Sequence, residues 1–271
     1  MSVLHLSFHP TLLDPPTHHR SQPTGKQHTS HHQFVMDNNV APQKRKFAVI
    51  FILGAPGSGK GTICNYLARK HGLLHFSVGD NLRTWMKDEL NRETPLAATI
   101  QDKLDHQGFL TSTELNPFLR IAIENAIRQD DLNGILIDGF PRCEEQLISW
   151  AQWPFQERLP LEGNAKPDIV LSLNVTKENA EARYLARGRD RNDSAEKFTK
   201  RFAEYLEEGP PVEQQYREAG LLVDIDNNGN KEENIARVEK MLRDSALWNR
   251  VVGQEMESVF LVSPQVPDDA Q

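Results

Sequence analysis

With 271 residues, 38% of them hydrophobic, the chain can fill the core of one large domain or two small ones. Its net charge of -7 excludes a general nucleic-acid or anionic-membrane binder, so any cationic chemistry must be local. Only two cysteines occur, Cys64 and Cys143, at a spacing that suits neither a zinc site nor a disulfide framework, which points to a reducing compartment, cytoplasmic or nuclear. No apolar run approaches the roughly 18 residues of a membrane-spanning helix, and no secretory signal is evident, so no membrane or nucleic-acid partner is expected.

Residues 1–43 hold seven of the ten histidines and five prolines among many Ser, Thr and Gln. That composition predicts a disordered extension, and without spaced carboxylates or cysteines its histidines make no dedicated metal site. Met36 lies close enough to the first strand that translation from it would still yield the whole of the folded part, expected over 44–244.

The continuous apolar run at 47–53 reads as a strand buried on both faces of a parallel sheet. It stops at Gly54-Ala55-Pro56-Gly57-Ser58-Gly59-Lys60-Gly61-Thr62. Glycines at 54, 57, 59 and 61 let a backbone curl so that successive N–H groups point at an anion, the following helix adds its positive end, and Lys60 adds a point charge. This is the G-x-x-x-x-G-K pattern of a phosphate-binding loop in its required strand-turn-helix setting. The hydroxyl usual directly after the lysine is displaced by one position to Thr62.

A helix follows, closing near Gly72, then a short strand at 74–76 and a second helix opening at Ser77-Val78-Gly79-Asp80-Asn81-Leu82-Arg83, its N-terminus aimed where a phosphate could sit. Residues 84–106 are mostly helical, and a turn at 108–115 leads through a Thr or Ser cap into a helix to residue 128. The strand at 134–138 carries its only charge, Asp138, at its C-terminal end. In an α/β sheet that is the crevice where ligands bind, and an acid there can hold magnesium directly or through water, or cap the next helix. Gly139-Phe140-Pro141-Arg142 follows. Further strands at 167–175 and 221–225 alternate with helices from 177 and 231. Five buried strands separated by helices predict an α/β fold, a three-layer α/β/α sandwich on a five-stranded parallel sheet. Residues 245–271 form a C-terminal tail of unassigned role.

The cations that follow strand ends are Lys60, Arg83, Arg142, Arg183, Arg187, Arg189, Arg191 and Arg201. Phosphoryl transfer needs two phosphate chains in line, charge neutralised on the migrating group and water excluded, and the planar arginine fork suits that task.

Together these stretches, from about residue 47 to 242, resemble the adenylate kinase and UMP-CMP kinase family of nucleoside monophosphate kinases. The resemblance implies ATP and Mg2+ as cofactors, with Mg2+ held through water by Asp138, and a P-loop core carrying a monophosphate-binding insertion at about 77–107 and a short lid at about 188–199. It further implies that Gly57, Ser58, Gly59, Lys60, Gly61 and Thr62 grip the ATP phosphates. Ser77, Val78 and Arg83 would receive the acceptor phosphate, and the backbone of Phe109, Leu110 and Thr111 would contact the acceptor nucleoside. Gly139-Phe140-Pro141-Arg142 looks like the family signature, with Arg142 bridging the two phosphate chains. Arg183 resembles the arginine stacked on the ATP base, Arg187 the one on its phosphates, and Arg201 the one that reaches the transferred group. Thirteen residues separate Arg187 from Arg201, a lid shorter than its type, in which Asp193 matches the lid acid and Arg191, or failing it Arg189, the lid arginine.

The acceptor is a nucleoside monophosphate: AMP, UMP or CMP. Gln146, four residues after Arg142, is the residue adenylate kinases use to recognise adenine, where UMP-CMP kinases carry asparagine. Val78, Cys64 and Trp150 instead resemble the pyrimidine branch, while Phe109 and Ser112 depart from the usual lysine and proline. The expectation is a monomeric kinase that favours AMP, with a UMP/CMP kinase as the alternative and an inactive nucleotide-binding sensor or scaffold as a third reading.

Overall fold

The computed structural model describes residues 47–106, 108–152, 167–187 and 194–252. In chain order they form β1 (Ala48–Leu53), α1 (Lys60–His71), β2 (Leu73–Ser77), α2 (Val78–Lys87), α3 (Pro95–His106), α4 (Ser112–Ile127), β3 (Gly134–Asp138), α5 (Glu144–Gln152), β4 (Ile169–Asn174), α6 (Lys177–Arg187), α7 (Ala195–Glu218), β5 (Leu222–Asp226), α8 (Lys231–Asp244) and α9 (Ala246–Val251). The strands make one parallel sheet in the order β2-β3-β1-β4-β5.

β1 lies at the centre, and all six of its residues are buried. Because side chains alternate along a strand, its sequence serves two cores at once. Ala48, Ile50 and Ile52 face a layer made by α1, α8 and α9, meeting Ile63, Leu67, Val238, Leu242 and Trp248 together with Leu136, Leu171 and Ile225 of neighbouring strands. On the opposite face Phe51 packs edge-on against Phe140, Trp150 and Tyr216, so α5 and α7 cover that side. Three layers result, as the strand-helix alternation predicts.

The connections leave neighbouring strands for opposite faces: β1 passes into α1 on one side, β3 into α5 on the other. Such a switch opens a crevice beyond the carboxyl ends of the two strands, which are paired from Ala48–Gly134 to Ile52–Asp138. The phosphate cradle and Asp138 therefore share one rim.

Boundaries moved by a few residues, and the extents of three helical stretches differ from expectation. A bend over residues 88–94 divides the helical stretch between Ser77 and His106 in two. α5 is the helix expected after Asp138, for which the sequence reading set no bounds. α7 runs for 24 residues straight through Pro210 and Pro211, a pair that on sequence alone would end a helix. The C-terminal boundary also shifts. Ser245 caps α9 through its side chain, accepting from the Trp248 N–H, and the Trp248 ring packs edge-on against His71 at 5.1 Å between centroids. Residues 245–252 thus belong to the core on the α1 side. Trp248 is 2% exposed, so Trp248→Ala should lower the unfolding free energy by about 3–5 kcal/mol, a loss that urea titration followed by circular dichroism will measure.

Candidate functional site

The cradle is held open by backbone conformations that side chains resist. Gly57 has φ 79°, and a Cβ there would meet the Ala180 carbonyl oxygen at 2.0 Å, so the start of α6 presses directly on the loop. Gly59 has φ 89° and lies against the Asn227 amide. Asn227, between β5 and α8, donates from Nδ2 to the Ser58 carbonyl and ties the loop to the far edge of the sheet. Gly61 differs from expectation: it is the second residue of α1 and does not shape the turn.

Lys60 Nζ donates to the carbonyls of Gly54 at 2.7 Å and Ala55 at 2.9 Å, which curls its side chain back under the loop. Burial pulls its pKa down to about 8, against the opposing charge of Asp138. The ammonium is thus poorly compensated until an anion arrives.

Asp138 sits at the tip of β3. Burial alone would push its carboxyl pKa up. The hydrogen bond from His75 and the charges of Lys60 and Arg142 outweigh that, and the group is held below the ordinary carboxylate range. An ionised oxygen ligand beside a phosphate cradle suits a hard divalent cation, and the Thr62 hydroxyl lines the same cleft.

Arg142 is anchored from two sides. Its N–H donates to Gln146 Oε1 at 2.8 Å, and its Nε to the Gly139 carbonyl at 2.9 Å. Burial lowers its pKa, with Asp138 opposing and Arg201 and Arg83 adding to the effect, so three guanidinium groups face one space. Gln146 is fully enclosed, and its Nε2 donates to the Leu110 carbonyl at 2.9 Å.

Beside the loop after β5, Arg183 gives NH1 to the Asn227 carbonyl at 2.7 Å and NH2 to the Gly229 carbonyl at 2.6 Å. Those bonds lie in the guanidinium plane and fix its orientation, leaving its flat faces for stacking. Arg187 lies over the Tyr184 ring at 4.2 Å, while Arg201 NH1 donates to the Tyr184 hydroxyl at 3.1 Å. Tyr184 is fully buried between α6 and α7, so one aromatic residue sets the positions of two cations.

At the end of β2 Ser77 caps α2, its hydroxyl accepting from the Asp80 N–H, and Arg83 NH1 pairs with Asp80 at 2.9 Å.

Lys60, Arg83, Arg142, Arg183, Arg187 and Arg201 all line a single cleft of about 940 Å³, together with Gly57–Thr62 of the cradle, Ser77, Val78, Phe109, Leu110, Asp138, Gly139, Pro141 and Gln146. The Phe140 side chain turns away from the cleft into the core against Phe51 and Trp150. Thr111, expected to contribute through its backbone, caps α4, its N–H and hydroxyl both donating to Glu114. Arg189, Arg191 and Asp193 fall outside the described residues. Of the expected lid, Ser194 caps α7, and the remainder to residue 199 is the first turn of that helix.

One acid was not foreseen. Glu204, one turn after Arg201 on α7, accepts from the Gly108 N–H at 3.0 Å and so pins the segment leading into Phe109 and Leu110. Burial raises its pKa, against the Gly108 hydrogen bond and the charges of Arg142 and Arg201. Its spacing of three from Arg201 was the available signal, but its partner is distant in sequence.

A glycine-rich anion cradle at a sheet switch point, facing a ring of arginines, defines a P-loop nucleotide-binding enzyme of the parallel α/β type. A family model described as adenylate kinase matches residues 52–221. The chain is 36% identical over 196 residues to an adenylate kinase of a Nitratiruptor species, a match that covers 72% of this chain and 94% of the relative. It is 31% identical over 193 residues to UMP-CMP kinase 1 of Oryza sativa subsp. japonica, covering 71% and 72%, and 34% identical over 177 residues to UMP-CMP kinase 3 of Arabidopsis thaliana, covering 65% and 79%. The chain belongs to the adenylate kinase family and is a nucleoside monophosphate kinase.

Because Lys60 has a pKa of about 8 without ligand, and a polyphosphate favours its charged form, binding a nucleoside triphosphate at pH 8 should take up about half a proton per molecule. The uptake should fade by pH 6.5, where the lysine is already charged. Calorimetric titration in two buffers of contrasting ionisation enthalpy will read it.

Proposed function

We propose that AMP is the preferred acceptor of this ATP-dependent kinase, in the reaction ATP + AMP = 2 ADP. The observation that carries this reading is the state of Gln146. A primary amide has two donor hydrogens and two acceptor lone pairs. One of each is used on Leu110 and Arg142, which leaves one donor and one acceptor on a rigid, enclosed side chain. Adenine offers the complementary pair on adjacent atoms, as cytosine does, and the extra carbon of reach of glutamine over asparagine is what favours adenine. The adenylate kinase relative at 36% identity points the same way.

Donor phosphates would lie in the cradle under Lys60, and the acceptor phosphate between Arg83, Arg142 and Arg201. At neutral pH a phosphate monoester is largely dianionic and acts as its own nucleophile, so no general base is required. Its oxygen forms the new bond to the γ-phosphorus as the bond to the β,γ-bridging oxygen breaks, and ADP leaves with that electron pair. Lys60 and Arg142 neutralise charge on the migrating group, with Arg191 the choice for a further lid cation. Asp138 would hold magnesium through water, and the bound ion would supply further neutralisation of phosphate charge. Arg183 offers its face to the donor base, and closure of α2, α3 and the lid segment over the cleft would exclude water.

A UMP/CMP kinase is the second reading. It is favoured by Val78, which is buried and lines the cleft, and by relatives named UMP-CMP kinase. An inactive scaffold finds less support, since every described phosphate-gripping residue lines the one cleft.

A coupled assay of diphosphate formation with AMP, UMP and CMP in turn tests the assignment: AMP should give the highest kcat/KM, and a pyrimidine monophosphate exceeding it would overturn the preference. Arg142→Ala should lower kcat by about 10³-fold or more while leaving the thermal unfolding transition in place. Glu204→Gln keeps the Gly108 contact but removes a charge facing Arg142 and Arg201, so it should alter KM for the monophosphate more than KM for ATP.

A further inference from the structure

Behind the cradle, on the α1 side of the sheet, three side chains of different chemistry converge. Cys64 lies one helical turn after Lys60 on α1 and is fully buried. His75 of β2 is paired with Leu136, so it shares a sheet face with Asp138 two residues further along β3. The Cys64 sulfur, a His75 ring nitrogen and an Asp138 carboxylate oxygen all lie within 4.8 Å of one another.

The hydrogen bonding around His75 is informative. Its Nδ1 meets Asn65 Oδ1 at 3.2 Å and its Nε2 meets Asp138 Oδ2 at 3.4 Å. With Nδ1 directed at the Asn65 carboxamide, Nε2 is directed at Asp138, to which it donates a hydrogen bond while no cation is bound. A metal-bound imidazole has the same arrangement, with one nitrogen on the ion and the other oriented by an outer partner. Sulfur, imidazole and carboxylate together are a zinc-type donor set with little attraction for magnesium. A tetrahedral zinc keeps such ligands about 3.4–3.6 Å apart, so side-chain adjustments of about 1 Å would close the site, with the fourth position left for water.

We propose that Cys64, His75 and Asp138 form a binding site for a soft divalent cation, zinc above all, and that filling it withdraws Asp138 from the nucleotide's magnesium and stops turnover. The second half rests on the assignment of Asp138 in the kinase reaction; the first does not. The balance is Zn2+ plus the Cys64 thiol giving a zinc thiolate and a proton released to solvent, with no change of oxidation state. Asp138 lines the cleft and provides the way in.

The test uses the full chain without nucleotide, titrated with cobalt(II). A thiolate-to-cobalt charge-transfer band should saturate at one equivalent, persist in Cys143→Ser, vanish in Cys64→Ser and need at least about tenfold more cobalt in His75→Asn, with circular dichroism confirming that each variant is folded. The histidines of residues 1–43 cannot produce that band, because it requires sulfur. No band, or one that survives in Cys64→Ser, overturns the site. In the kinase assay Cys64→Ser should keep zinc-free turnover and require at least about tenfold more zinc for half-inhibition. Equal zinc sensitivity in the two proteins overturns the inhibitory role. A chain that shows the cobalt band but phosphorylates no monophosphate defeats the kinase assignment and leaves the site standing.

Discussion

Bare phosphate is among the most strongly hydrated groups a protein can bind, and removing its water demands donors already in place. Here that constraint is met by backbone. The cradle presents amides that cannot relax, because Gly57 is pressed against Ala180 and the Ser58 carbonyl is held by Asn227. The rest of the molecule follows from keeping that loop rigid. β1 is buried on both faces so that its end cannot move, and Lys60 is drawn under the loop by two carbonyls instead of extending into solvent. The cost is a buried ammonium without a full counter-charge, an arrangement that primes the empty cleft for an anion.

The arginines show a second division of labour. Each is held by protein groups while lining the cleft. Arg183 is fixed by two backbone carbonyls, Arg142 by the Gly139 carbonyl with its own backbone N–H on Gln146, Arg187 by the face of the Tyr184 ring and Arg201 by the Tyr184 hydroxyl. Long flexible side chains are thereby positioned before substrate binds, which reduces the ordering entropy that would otherwise weaken binding.

How much of this could be read from sequence depended on how local its cause was. The cradle was legible because glycine positions, lysine and preceding strand all lie within sixteen residues of chain, and the parallel sheet because its three inner strands, β1, β3 and β4, are short, largely apolar runs. The Phe140 side chain was not placed by its motif, which does not say which side chain points inward: it is held by Phe51 and Trp150 on one face of the sheet. α5 is short and opens with two acids and a glutamine, giving little periodicity, and Pro210-Pro211 conceals a helix that packing on the sheet carries through. Glu204 was missed because its partner, Gly108, lies 96 residues away. Family resemblance supplied roles for arginines that spacing alone could not rank.

The position of Trp248 bears on how the chain can be made and handled. Its ring closes the layer over α1, on the same face as Ile50 and Leu67, yet it comes from the last described helix. During synthesis that apolar surface stays uncovered until α9 has emerged from the ribosome, so the α1 side of the sheet is the part of the nascent protein most in need of protection. A recombinant version shortened to the family-matched segment alone, ending at residue 221, would lack β5, α8 and this cover together, and expression boundaries are better set beyond Val252.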